Sequence, residues 1–119
     1  MLRTVSQIIE HYSKMEEKQE ENYQQLAKNF PGKADQFKNF AQETNKHIER
    51  LKRAYRLGVT DAFEVGFISS SIDPEKHKVD ELKPSSLNEA LRKIIQNEEK
   101  IMLFLEIIKS SAVKFTTFS

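Results

Sequence analysis

Three stretches of this sequence repeat apolar residues at the three-to-four spacing of a helix, and each is bounded by residues that start or stop helices. The first runs from Thr4 to Phe30 through Val5, Ile8, Ile9, Tyr12, Met15, Tyr23 and Leu26. Thr4 followed by Gln7 fits a capping box, and Pro31-Gly32 is expected to close the helix, with Gly32 taking a left-handed cap. The second, from residue 33 to residue 57, places Phe37, Phe40, Ala41, Ile48, Leu51, Ala54 and Tyr55 on one face. The turn between the two is short, so they should form an antiparallel hairpin. The third starts at Ser86, with Glu89 completing a second capping box. It carries Leu87, Ala90, Leu91, Ile94, Ile101, Met102, Leu105 and Ile108 to about residue 112.

Residues 58–85 break the pattern with Gly66, the run Ser69-Ser70-Ser71 and Asp73-Pro74, while Val59, Ala62, Phe63 and Phe67 have the spacing of a short capping helix. A connection of that length is uncommon unless it does a job, and one such job is to carry the chain from one end of a bundle to the other. Sliding the third helix onto the first pairs Thr4 with Ser86, Gln7 with Glu89, Glu16-Glu17-Lys18 with Glu98-Glu99-Lys100, and Leu26 with Ile108, all without a gap. That register reads as two related helical halves, the second of which lacks a counterpart of the 33–57 helix. Three amphipathic helices leave apolar surface uncovered. Completion by a homodimer is the preferred expectation, ahead of a three-helix bundle or a truncated product.

The 119 residues suit one domain, here 1–119. Only three Gly and three Pro suit long helices, so the fold class is all-α. Lys and Arg number 19 against 18 Asp and Glu, a balance that favours neither nucleic acid nor membrane as a partner. Without cysteine there is no disulfide, thiolate zinc site, iron–sulfur cluster or thiol nucleophile. The charged amphipathic start and the absence of a stretch of ~20 apolar residues lead to an expectation of a cytoplasmic protein. No phosphate-binding loop, nucleophile elbow or zinc spacing is present.

Polar residues interrupt the stripes at their centres: Glu16 and Gln19 in the first helix, Thr44 and His47 in the second, Glu98 in the third. Burying a carboxylate is costly unless it is paired or bound to a cation, so these positions point to a shared interior polar site. With those residues the chain resembles the ferritin-like, specifically rubrerythrin-like, di-iron proteins, whose helices bring lone Glu residues and Glu-x-x-His pairs around paired metals. Glu16 stands seven residues before Tyr23 as Glu98 stands before Leu105, and Phe40 to Leu51 looks like the family's second helix with His47 in the histidine position. The resemblance spans roughly residues 5–110 and implies a ferritin-like bundle with metal ligands Glu16, His47 and Glu98. Thr44 stands where the family has Glu, Glu43 lies about 100° away around the helix, and the fourth-helix ligands are absent.

The resemblance therefore implies a weakened mono- or dinuclear iron site with peroxide- or dioxygen-related oxidoreductase ancestry, supplied with electrons by a separate donor. No catalytic residue is assigned. The alternative is a metal-free interaction or assembly module whose ancestral site has become a hydrogen-bonded polar core. A third reading, a bundle holding a small apolar ligand among Phe37, Phe40, Ile94 and Met102, has no specific residue in its favour. For His47 alone, a histidine hydrogen-bonded to Thr44, Glu16 or a carbonyl is the plainer alternative to a ligand.

Overall fold

The structure, a computed structural model, describes the backbone of residues 1–58 and 67–117, and the side chains of 1–53 and 71–110. Among the described residues it is mostly helical, with three long helices and one small sheet. A short strand β1 (Leu2–Thr4) leads into α1 (Val5–Asn29). Thr4 caps α1 as its sequence suggests: its Oγ1 accepts from the Gln7 amide at 3.1 Å, while the Gln7 side chain accepts from the Thr4 amide at 3.2 Å. The far end departs from expectation. No described glycine has a positive φ, and Pro31–Lys33 form a 3-10 turn that leads directly into α2 (Ala34–Gly58). Proline's fixed φ suits the first turn of a new helix, so no left-handed residue is required.

Helices α1 and α2 form the antiparallel hairpin, with Phe37, Ala41, Thr44 and Ile48 buried along α2. Beyond α2, the expected capping helix on Val59, Ala62 and Phe63 lies outside the described residues. Phe67 instead opens a strand, β2 (Phe67–Ile72). It pairs antiparallel with β1, Leu2 opposite Ile72 and Thr4 opposite Phe67, across an irregular register. A two-stranded ribbon is marginal alone; this one is anchored because Leu2 and Ile72 also pack on the apolar cluster of Ile8, Tyr12, Met15, Val79, Ile101 and Phe104.

From Ile72 the chain runs back along α1. Val79 enters the cluster at one end, and Leu82 enters a second one, with Tyr23, Leu26, Phe37, Ala41, Ala90 and Ile94, at the other. Helix α3 (Leu87–Thr117) therefore lies antiparallel to α1. Its Ser86 cap accepts from the Glu89 amide at 3.1 Å, but the Glu89 carboxylate turns to Ser85 and leaves the box half closed. The helix continues past the expected end near residue 112 to Thr117, and Ser110-Ser111 does not stop it.

Helix α1 is central, packed along α2 and along α3, whereas among the described residues α2 and α3 share no comparable interface with each other. The body measures 51 × 26 × 17 Å, thin in one direction for a helical bundle. On the open side, Phe40 of α2 is 49% exposed, and Leu91, Ile95 and Met102 of α3 are 41%, 58% and 65% exposed.

The returning segment is fastened near its start by two histidines. His11 donates from Nε2 to the His77 carbonyl at 2.6 Å, and both rings pack on Phe104 with centroids 5.1 Å away. Burial, then the neighbouring His11, depresses the His77 pKa; Lys76 reinforces this and Asp73 opposes it. The folded His77 thus binds its proton at lower pH than the unfolded chain does. Between an unfolded pKa of about 6.5 and that lower folded value, falling pH destabilises the fold; above the window both states are neutral and nothing is lost. Denaturant midpoints measured from pH 8 to about pH 5 are expected to fall more steeply for the natural chain than for His77→Phe.

Candidate functional site

The mid-stripe polar residues meet on the open side of α1. Glu16 is 1% exposed, and its Oε2 accepts from the Tyr12 hydroxyl at 3.1 Å and faces His47 Nδ1 at 3.4 Å. His47 itself stands at the rim with half its side chain exposed. Thr44 is buried beside it, but its hydroxyl donates to the Phe40 carbonyl of its own helix at 2.9 Å and so takes no part in the site. Glu43 points outward to Lys46 at 3.1 Å, a hydrogen bond that holds its carboxyl below the usual range.

Glu98 enters from α3. Its Oε1 accepts from Tyr23 at 2.6 Å and from Gln19 Nε2 at 3.1 Å. Gln19 continues the network through its Oε1, which accepts from Asn22 at 3.2 Å and Asn97 at 3.3 Å. Both asparagines then hold the returning segment. Asn97 brackets Asp80, donating to its carbonyl at 3.0 Å and accepting from its amide at 3.1 Å. Asn22 donates to the same carbonyl at 2.8 Å and accepts from the Leu82 amide at 3.2 Å. Among the described residues every buried side-chain nitrogen and oxygen has a partner, the condition under which a polar interior adds rigidity instead of cost.

Electrostatics sets the protonation of this floor. Burial pushes the Glu16 carboxyl up and the nearby Glu98 charge adds to it, while the Tyr12 hydrogen bond and His47 pull it partly back. Burial and contact with Glu98 raise the Tyr23 hydroxyl, and burial and contact with Glu16 raise that of Tyr12, so both remain neutral donors throughout the physiological range. Two carboxylates are thereby each held by a protonated phenol.

Of the three residues marked as metal ligands, Glu16 and His47 are neighbours, and Glu98 sits with Tyr23 and Gln19 on the same floor. Among the described residues no three His, Cys, Asp or Glu side chains form a group that could hold a metal ion. Asn22 and Asn97 are the members sequence reading passed over. Their signal was position: each lies three residues from a stripe residue, Gln19 or Ile94, and asparagine is a poor helix former unless its side chain is engaged. No family model, curated protein or solved structure matches the chain. No described helix is long and apolar enough to cross a membrane.

Proposed function

We propose that this chain is a helical interaction and assembly module of ferritin-like, rubrerythrin-like descent. Its interior polar site serves as a hydrogen-bonded core, and its open face between α2 and α3 accepts a further helix. The observation that carries this reading is a contrast. The floor residues Glu16, Gln19 and Glu98 are satisfied by donors within the chain, while Phe40, Leu91, Ile95 and Met102 stand exposed along its two edges. A satisfied polar network needs no cation; an apolar rim needs a cover.

One observation favours a second reading, a weakened iron site with oxidoreductase ancestry: His47 Nδ1 stands 3.4 Å from Glu16 Oε2, and imidazole with carboxylates is a donor set that suits iron. In that reading Glu16, His47 and Glu98 hold the ion, which would supply one-electron chemistry toward peroxide or dioxygen with electrons from a separate donor.

Anaerobic addition of ferrous iron, followed by elemental analysis of the gel-filtered protein, separates the two. The assembly reading expects no retained iron. It also expects Glu16→Gln to be more thermally stable than the natural chain at neutral pH, because the amide still accepts from Tyr12 and removes a charge that burial and Glu98 both oppose. Stoichiometric iron, lost on Glu16→Ala or His47→Ala, would instead establish the metal reading.

A further inference from the structure

We propose that the helix covering the open face is α3 of a second copy of this chain, packed antiparallel across a twofold axis. The inference rests on the assembly reading above and names its partner. Leu91, Ile95 and Met102 are spaced four and seven apart with Glu98 between the last two, the 3-4 alternation of a coiled-coil seam. All three apolar side chains are exposed on the described surface. The seam from Leu91 to Met102 is roughly 17 Å long at about 1.5 Å per residue, and its midpoint falls between Gln96 and Asn97. Turning a second α3 about that midpoint sets Leu91 of each copy against Met102 of the other and Ile95 against the aliphatic part of Glu98. The Glu98 carboxylate is already turned away to Tyr23 and Gln19.

Charge selects the orientation. Arg92 and Glu99 are seven residues apart and so lie along the same edge of the seam, both exposed. Neither has an ion-pair partner among the described residues, although Lys93 and Lys100 next to them are paired with Glu89 and Asp80. An antiparallel pair of α3 helices brings Arg92 of each copy alongside Glu99 of the other, twice by symmetry. In a parallel pair the same edge of the two copies falls on opposite sides of the seam, so Arg92 of one copy could not reach Glu99 of the other and neither attraction would form. With a net charge of +1, two copies meet no appreciable long-range repulsion.

Sedimentation equilibrium across the micromolar range tests this with four variants whose helicity is first checked by circular dichroism: Ile95→Glu, Arg92→Glu, Glu99→Arg, and the double Arg92→Glu/Glu99→Arg. The natural chain is expected to dimerise reversibly and Ile95→Glu to be monomeric. Each single charge reversal should weaken association by about tenfold, since it turns two attractive pairs repulsive, and the double variant should recover most of the loss. A double variant as weak as the singles would overturn the antiparallel pairing. A natural chain that stays monomeric overturns the second copy as occupant. In that case binding of the apolar dye ANS decides the fate of the parent reading: fluorescence lost in Ile95→Glu keeps the open face as a docking site for another helix, and equal fluorescence in both removes that as well.

Discussion

Phe104→Ala is expected to lower the unfolding free energy by about 3–5 kcal/mol, the usual cost of removing a fully buried phenylalanine from a core that cannot collapse around the gap. Phe104 is fully buried and has the largest side chain among the residues buried to that degree. It ties together three parts of the chain: α1 through Ile8, Tyr12 and Met15, the returning segment through Val79, and α3 through Ile101. Two histidine rings lie on it as well, so truncation loosens the fastening of His77 to His11 at the same time. Domains of this size have total stabilities of ~5–15 kcal/mol, and the variant should therefore sit close to the edge of folding. Leu103, the neighbouring residue, is 59% exposed and lies off the Leu91–Met102 seam. Leu103→Ala should change urea unfolding by no more than about 0.5 kcal/mol, and an equal loss in the two variants would show that the apolar cluster around Phe104 is misassigned.

Asn22→Leu and Asn97→Leu should each cost about 1–3 kcal/mol, and the double variant should cost more than the sum of the two. The reason is in how they share acceptors. Gln19 Oε1 and the Asp80 carbonyl each accept from both asparagines, so either residue covers the loss of the other. Removing both strands those two oxygens at once, in addition to the Leu82 amide that Asn22 alone satisfies. Coupling between groups in one network is commonly 0.5–3 kcal/mol, and a double-mutant cycle by urea denaturation reads it directly. Hydrogen exchange adds a local check: the Leu82 amide should lose protection in Asn22→Leu, ahead of amides in the middle of α1. Strict additivity would mean that the asparagines do not act through common acceptors.

These two sites differ in how far the sequence announced them. The helical spacing of the third stripe follows Ile101, Met102 and Leu105 and passes over Phe104, whereas the structure buries Phe104 and leaves Met102 65% exposed. Periodicity identifies an apolar arc but not which edge of a wide arc turns inward, because that depends on where the neighbouring helix and the returning segment lie. The polar centre was more legible. Glu16, Gln19, Thr44, His47 and Glu98 all break apolar faces, and burial cost alone marks such positions. What they do could not be read from spacing: Thr44 bonds back to its own helix, His47 reaches the rim, and tyrosines from two turns of α1 hold the two carboxylates.

By itself the sequence determined that this is an all-helical chain in outline, with three long helices, a Thr4–Gln7 capping box, an antiparallel hairpin and a long connection before the last helix. Those features depend on residue spacing, capping chemistry and proline geometry, which act within a few residues of chain. Only the tertiary structure decided that β1 pairs with β2, that Asp80 and Leu82 are clamped by two asparagines, and that the apolar surface left uncovered is the edge carrying Phe40 on α2 and Leu91, Ile95 and Met102 on α3. Each of these joins residues remote in sequence. Their pairing is chosen by the burial and hydrogen-bond satisfaction of the whole fold, a sum that no local window contains.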